Sequence, residues 1–138
     1  MKRFFVPMLI ALAIVAAPVY AVGAQFVGSI QGFNCVTQGK LCPVGQEDPV
    51  IAAENVFVLL VDAAKGEYYF VPNLDRGIMA RHINQTARIT GKANMSMKSI
   101  AAEKLEVMGA DRSWRQAWAK EWEEDIYKQL FGTPRSGP

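Results

Sequence analysis

Val-Phe-Val-Leu-Leu-Val, at residues 56–61, is a continuous run of apolar residues that favour β-strands. A run without polar alternation is typical of a strand that is covered on both faces. Lys65-Gly66 follows as a plausible hairpin turn, and a second, aromatic strand then runs from Tyr68 until Pro72 ends it. We therefore expect a hairpin whose first strand is the central strand of a sheet.

The segments around this hairpin supply the other elements. Residues 25–33, 86–93 and 98–107 alternate between apolar and polar side chains, which predicts three more strands. Residues 74–83 carry apolar side chains at helical spacing, which predicts a short helix. Residues 34–49 show no periodicity and predict a long surface loop. The predicted order is three strands, one helix and two strands.

This order matches the layout of the OB-fold, a five-stranded, partly open barrel. Residues 87–93 read Ala-Arg-Ile-Thr-Gly-Lys-Ala, and residues 99–107 read Ser-Ile-Ala-Ala-Glu-Lys-Leu-Glu-Val. This pair resembles the final hairpin of small exported bacterial OB-fold-like barrel domains. The resemblance covers roughly residues 26–107 and implies a mainly β, OB-like barrel over residues 25–110, with one short helix between strands 3 and 4. It implies no reaction.

A different pattern occupies residues 111–138. Asp111 is a good helix cap, and large apolar residues recur from there at steps of four. They predict an amphipathic helix of about five turns that Gly132 and Pro134 end, followed by a frayed tail. Because Trp is enriched at the centres of protein interfaces, this stripe could dock on a partner protein; it could equally pack on the barrel. The stripe consists of Trp114, Trp118, Trp122, Ile126 and Leu130.

The first 24 residues are typical of a bacterial secretory signal peptide. Lys2 and Arg3 precede a long apolar run, and the small residues that follow allow cleavage after Ala21 or after Ala24, of which we favour the second. The segment approaches the length of a membrane-spanning helix, so an uncleaved anchor remains open. We expect a periplasmic or secreted protein, with membrane contact only if the leader is uncleaved.

The charge of the chain changes when this leader is removed. Lys2 and Arg3 are two of the 15 basic residues, which leaves 13 basic against 13 acidic residues in the mature protein. A neutral protein lacks the basic excess that non-specific binding to nucleic acid requires. We therefore expect no nucleic-acid partner.

Cys35 and Cys42 are the two cysteines of the chain. In an oxidising compartment, their closeness in sequence predicts an intramolecular disulfide that holds the loop. Their spacing is Cys-x6-Cys, and the Cys-x-x-Cys spacing of redox-active pairs is absent.

A soft metal site is a further hypothesis. His82, Met95 and Met97 offer an imidazole and two thioethers, which suit Cu(I). Their order resembles that of small OB-fold copper chaperones of bacterial efflux systems, which use a His, a Met-x-Met pair and a stacked Trp. This sequence has Lys92 where that pattern would place the Trp.

No catalytic motif accompanies His82, and we expect no enzymatic activity and no resident cofactor. The sequence favours an accessory or structural subunit that binds an envelope protein, a larger complex or a second copy of itself through the Trp-rich helix. A periplasmic Cu(I) carrier is one alternative. A barrel that binds a sugar or a peptide is another.

Overall fold

The computed structural model describes residues 23–132, so nearly all of the predicted leader and the tail after Gly132 lie outside the described residues. Within this range the chain forms six strands and four helices. In chain order they are β1 (Ala24–Gly32), α1 (Phe33–Thr37), α2 (Glu47–Ala53), β2 (Phe57–Asp62), β3 (Glu67–Phe70), α3 (Arg76–Ala80), β4 (Thr86–Asn94), β5 (Ser99–Met108), β6 (Trp114–Ala119) and α4 (Lys120–Phe131).

The strands form one sheet in the order β3-β2-β1-β4-β5-β6, and each pair of neighbours is antiparallel. β3 also pairs in parallel with β5, where Phe70 lies opposite Ser99. This pairing joins five strands into a ring in the order β1-β2-β3-β5-β4, and β6 lies outside it on β5. The prediction of a mainly β protein with a C-terminal helix is confirmed.

Within the apolar run, residues 57–60 have both faces of the strand covered, as predicted, whereas Val56 is exposed and Val61 is partly exposed. Phe57 and Leu59 of β2 belong to the main core, whereas Val58 and Leu60 face the other side and pack near Val36 of α1. β2 lies between β1 and β3 and is not central in the sheet. Residues 57–60 are buried on both faces because α1 covers the outer face.

The main core is apolar and takes side chains from every strand and from α3. Its members are largely the residues that alternate with polar ones in the sequence, because successive side chains of a strand point to opposite faces. Representative residues are Ile30, Leu59, Tyr69, Met79, Ile89, Ile100, Leu105 and Trp118.

The prediction of a loop at residues 34–49 is confirmed for residues 38–46 and wrong at both ends, which belong to α1 and to the first turn of α2. α1 forms because the buried Glu54 carboxylate accepts hydrogen bonds from the free backbone N–H groups of Asn34 and Cys35 at its start. The predicted disulfide is confirmed: Cys35 and Cys42 are bonded, with their Cα atoms 5.5 Å apart.

The start of the C-terminal helix was also predicted wrongly. Residues 114–119 form β6 against β5, and α4 begins only at Lys120. Trp114 and Trp118 therefore lie on a strand. The register of β6 shifts at a β-bulge, so the two rings lie on opposite faces of the sheet: Trp118 lies opposite Leu105 and joins the core, whereas Trp114 lies opposite Met108 and packs on Arg88. Pairing with β5 selects the strand, and the sheet continues to Ala119.

The ring is closed by side-chain hydrogen bonds as well as by strand pairing. Asn73 lies just beyond β3, and its side-chain amide donates to the carbonyl of Ala102 at 2.7 Å. The backbone N–H of Ala102 donates to the Asn73 side-chain oxygen at 2.8 Å. The side chain thus extends the contact between β3 and β5 after β3 has ended.

We predict that Asn73→Ala lowers the free energy of unfolding by about 1–3 kcal/mol, because Ala102 is buried and loses two hydrogen bonds. Urea unfolding followed by tryptophan fluorescence would measure the loss. Asn55→Ala is the control, since Asn55 is exposed and the change should stay below about 0.5 kcal/mol. Equal losses in the two variants would contradict the closing role of Asn73.

Candidate functional site

α4 carries a row of exposed apolar side chains. The helix has twelve residues and none of them is buried. Trp122, Ile126 and Leu130 recur every four residues and are 48%, 55% and 71% exposed, and Phe131 extends the row. Glu121 and other acidic residues at the start of α4 favour the helix, because carboxylates stabilise the positive end of the helix dipole.

The end of α4 is defined by Gly132. This residue adopts the left-handed conformation, with φ of 68°, and its N–H donates to the carbonyl of Lys128 at 2.8 Å. Glycine takes this conformation without steric cost and commonly ends helices in this way. The predicted stop at this position is confirmed.

The apolar side of α4 faces a groove of about 630 Å³. The opposite wall is the segment at residues 72–76, between β3 and α3. A second groove of about 340 Å³, lined by Val56, Phe70 and Met79, shares Pro72, Leu74 and Arg76 with the first, so the two adjoin. The first groove is lined by Pro72, Asn73, Leu74, Asp75, Arg76, Glu123, Ile126, Tyr127, Leu130 and Phe131. We call this groove and the exposed row of α4 the α4 surface.

Trp118 fixes α4 to the body of the protein. Its ring is 4% exposed and belongs to the main core. Its indole N–H donates to the Glu123 carboxylate at 2.8 Å, which ties the end of β6 to the first turn of α4. A buried indole N–H requires such a partner, so this bond helps to set where the helix leaves the sheet.

Strand β6 also contacts a charged side chain of β4. The Arg88 guanidinium lies 4.5 Å from the centre of the Trp114 ring and donates to the Glu106 carboxylate at 2.8 Å. Lys104 approaches the same carboxylate at 3.3 Å. The hydrogen bond from Arg88, followed by that from Lys104, lowers the pKa of Glu106 below its ordinary value.

The structure divides the predicted partner-binding residues into two groups. Trp122, Ile126 and Leu130 are exposed on α4, whereas Trp118 is buried and Trp114 is partly covered on β6. No sequence pattern predicted the opposite wall at residues 72–76. That wall is distant in sequence and becomes part of the surface only when β6 pairs with β5.

The proposed copper ligands are not brought together. His82 precedes β4, where its Nδ1 atom lies 3.0 Å from the Gln85 side-chain oxygen. Met95 and Met97 follow the other end of this nine-residue strand, and the Met95 sulfur accepts a hydrogen bond from the Tyr69 hydroxyl. At about 3.3 Å per residue, the ends of β4 are about 26 Å apart. One ion cannot contact all three side chains in this arrangement.

Comparisons with known proteins found no match to this chain among protein families, curated proteins or solved structures. Among the helices of residues 23–132, none has the length and apolar character needed to span a membrane.

We predict that Glu106 makes stability depend on pH in the acidic range. Its pKa is lower in the folded chain than in the unfolded chain, so its stabilising effect is present above the unfolded value, about 4.5, and is lost as the pH falls through the folded value. Urea unfolding of the wild type and Glu106→Gln from pH 7 to pH 3 would test this. Their difference in unfolding free energy should be constant above about pH 5.5 and shrink below about pH 4.5.

The control for this prediction is Glu103→Gln, which removes an exposed carboxylate from the same strand. Its pH dependence should follow that of the wild type. A constant difference between the wild type and Glu106→Gln down to pH 3 would contradict the role of the ion pair.

Proposed function

We propose that this protein is a non-enzymatic accessory or structural subunit of the bacterial envelope. An OB-like, partly open barrel forms its body, and the α4 surface binds a partner protein. The observation that carries this proposal is the exposed apolar row of α4, which lies beside a groove and contributes no buried residue to the fold.

The strand order supports the OB-like body. Five strands form a ring, and α3 lies between β3 and β4, as the OB-fold layout requires. Closure protects the edges of the strands in the ring, and β6 covers a further part of β5. The body therefore has a core and protected edges without any contribution from the exposed row of α4.

Export is supported by the leader-like sequence at residues 1–24 and by the disulfide. A bond between Cys35 and Cys42 is compatible with an oxidising compartment outside the cytoplasm. An exported accessory subunit meets its partners in the envelope, and the apolar face of an amphipathic helix is a common means of recognition between proteins.

The exposure of α4 distinguishes a docking helix from a packing helix. Amphipathic helices of globular proteins normally bury their apolar face against their own core. Here Trp122, Ile126 and Leu130 remain about half or more exposed. Apolar patches that are rimmed by polar residues mark interaction sites on soluble proteins.

The charges around the row indicate what kind of partner fits. α4 is acidic: its four carboxylates, Glu121, Glu123, Glu124 and Asp125, outnumber its two lysines. Complementary potentials direct association between proteins. We therefore propose a partner protein that presents an apolar surface with Arg or Lys at its rim, with Trp122 as an anchor.

We predict that Ile126→Asp lowers recovery of the partner at least about tenfold, because a charge would be buried without a counter-ion at the interface. The free energy of unfolding should change by less than about 0.5 kcal/mol, since the side chain is exposed. Affinity purification from the native membranes with quantitative mass spectrometry measures the first quantity, and urea unfolding measures the second.

The matched control is Lys128→Gln, which changes the net charge by the same amount and lies about 200° around the helix from residue 126. A photo-crosslinking residue at position 126 should trap the partner, and one at position 128 should not. Light scattering of the complex would reveal whether the partner is a second copy. Equal recovery with both variants would reject the α4 surface as the binding site.

A further inference from the structure

Two cysteines and a glutamate meet beneath α1. One sulfur atom each from Cys35 and Cys42 and one carboxylate oxygen of Glu54 all lie within 4.8 Å of one another. Among residues 23–132, they form the one group of three or more His, Cys, Asp or Glu side chains that meets this distance. Cys42 and Glu54 are buried, and Cys35 is partly exposed.

The position of the Glu54 carboxylate is unusual for a charged group. Glu54 is 4% exposed, and no salt bridge involves it within the described part of the chain. Arg76, the nearby cation, donates to the backbone carbonyl of Glu54 at 2.6 and 3.2 Å. Buried carboxylates usually pair with a cation or coordinate a metal, because losing water around a charge is costly.

The two carboxylate oxygens of Glu54 have different surroundings. Oε2 accepts a hydrogen bond from the N–H of Asn34 at 3.1 Å. Oε1 accepts a hydrogen bond from the N–H of Cys35 at 3.2 Å and lies 3.5 Å from the Cys35 sulfur. Backbone N–H groups therefore hold both oxygens, and Oε1 is the one that also contacts the disulfide.

We propose that Cys35, Cys42 and Glu54 form a redox-gated zinc site, closed as a disulfide when oxidised and able to bind Zn²⁺ when reduced. Two thiols of an external reductant supply two electrons and two protons; they become a disulfide as Cys35 and Cys42 become thiols. Zn²⁺ then displaces the two thiol protons and binds both thiolates and Oε1 of Glu54. A water molecule completes four-coordination. The proposal is independent of the α4 surface.

The geometry of the cluster suits this ion. With Zn–S of about 2.3 Å and Zn–O of about 2.0 Å, tetrahedral coordination places a sulfur and an oxygen ligand about 3.5 Å apart. Oε1 and the Cys35 sulfur already have this separation. Once the disulfide is reduced, the two sulfurs need to lie about 3.8 Å apart, by the same geometry.

The surroundings of the cluster would stabilise a bound metal. The N–H of Gly32 donates to the Cys42 sulfur at 3.2 Å, which stabilises thiolate charge. The bond from Asn34 to Oε2 orients the carboxylate in the manner of outer hydrogen bonds in metal sites. Gly32 also leaves the space that Glu54 occupies, since a Cβ atom there would lie 2.5 Å from Cγ and Cδ of Glu54.

Zinc titration of the full chain tests the proposal. The protein is reduced with a phosphine under nitrogen and titrated with Zn²⁺ against a chromophoric chelator, and native mass spectrometry counts the bound ions. We predict one Zn²⁺ per reduced chain and none per oxidised chain. Glu54→Gln should weaken binding at least about tenfold, because it replaces one of three protein ligands and loss of even an outer hydrogen-bond partner typically costs about 10–100-fold. Asp48→Asn, an exposed carboxylate on α2, is the matched control and should bind like the wild type.

Circular dichroism of the same samples shows whether the reduced chain is folded before and after Zn²⁺ is added. A reduced chain that unfolds and refolds on addition of Zn²⁺ supports the site, because metal binding and folding are then coupled. A reduced chain that binds Zn²⁺ no more tightly than Cys35→Ser/Cys42→Ser, whether folded or not, overturns the site. If the wild type and Glu54→Gln bind Zn²⁺ with equal affinity, the carboxylate is not a ligand and the proposed three-residue site is overturned.

Discussion

One edge of β5 serves two different partners, and the arrangement of the molecule depends on this division. The first residues of β5 meet β3, through the pairing of Phe70 with Ser99 and the hydrogen bonds of Asn73 to Ala102. The later residues of the same edge, from Lys104 to Met108, pair with β6. Unpaired strand edges must be satisfied or protected, so closing the ring and adding β6 both stabilise β5.

This division of the β5 edge also explains where the α4 surface forms. Asn73 binds Ala102, and Ala119 at the end of β6 lies opposite Lys104, two residues further along β5. α4 starts at the next residue after Ala119 and so emerges beside the segment at residues 72–76. The groove between α4 and residues 72–76 follows from these two contacts of β5. Trp118 helps to set the direction in which α4 leaves the sheet, because its ring lies in the core and its indole N–H donates to Glu123.

In the region beneath α1, a side chain again satisfies backbone groups that would otherwise lack hydrogen bonds. Glu54 satisfies backbone N–H groups at the start of α1, and α1 in turn covers Val58 and Leu60 on the outer face of β2. The cost of burying the carboxylate is offset in part by these hydrogen bonds. The disulfide and Glu54 therefore belong to one structural unit that fixes the outer layer of the ring.

The sequence by itself determined the elements whose periodicity was unambiguous. Residues 25–33, 86–93 and 98–107 alternate with a period of two, and the structure places strands there with boundaries that differ by one residue. The pairing of Cys35 with Cys42 followed from their closeness in the chain. The exposed half of the apolar stripe, from Trp122 onward, was correctly predicted as helix.

Only the tertiary structure decided what Trp114 and Trp118 do, because a step of four fits one face of a helix, whereas the bulged pairing of β6 with β5 puts the two rings on opposite faces of the sheet. The free edge of β5 selects the strand, and no local pattern reveals that edge. The same holds for the groove wall at residues 72–76 and for Glu54 beside the disulfide. Each is brought into place by contacts between distant residues, whereas periodicity and propensity report only on neighbours along the chain.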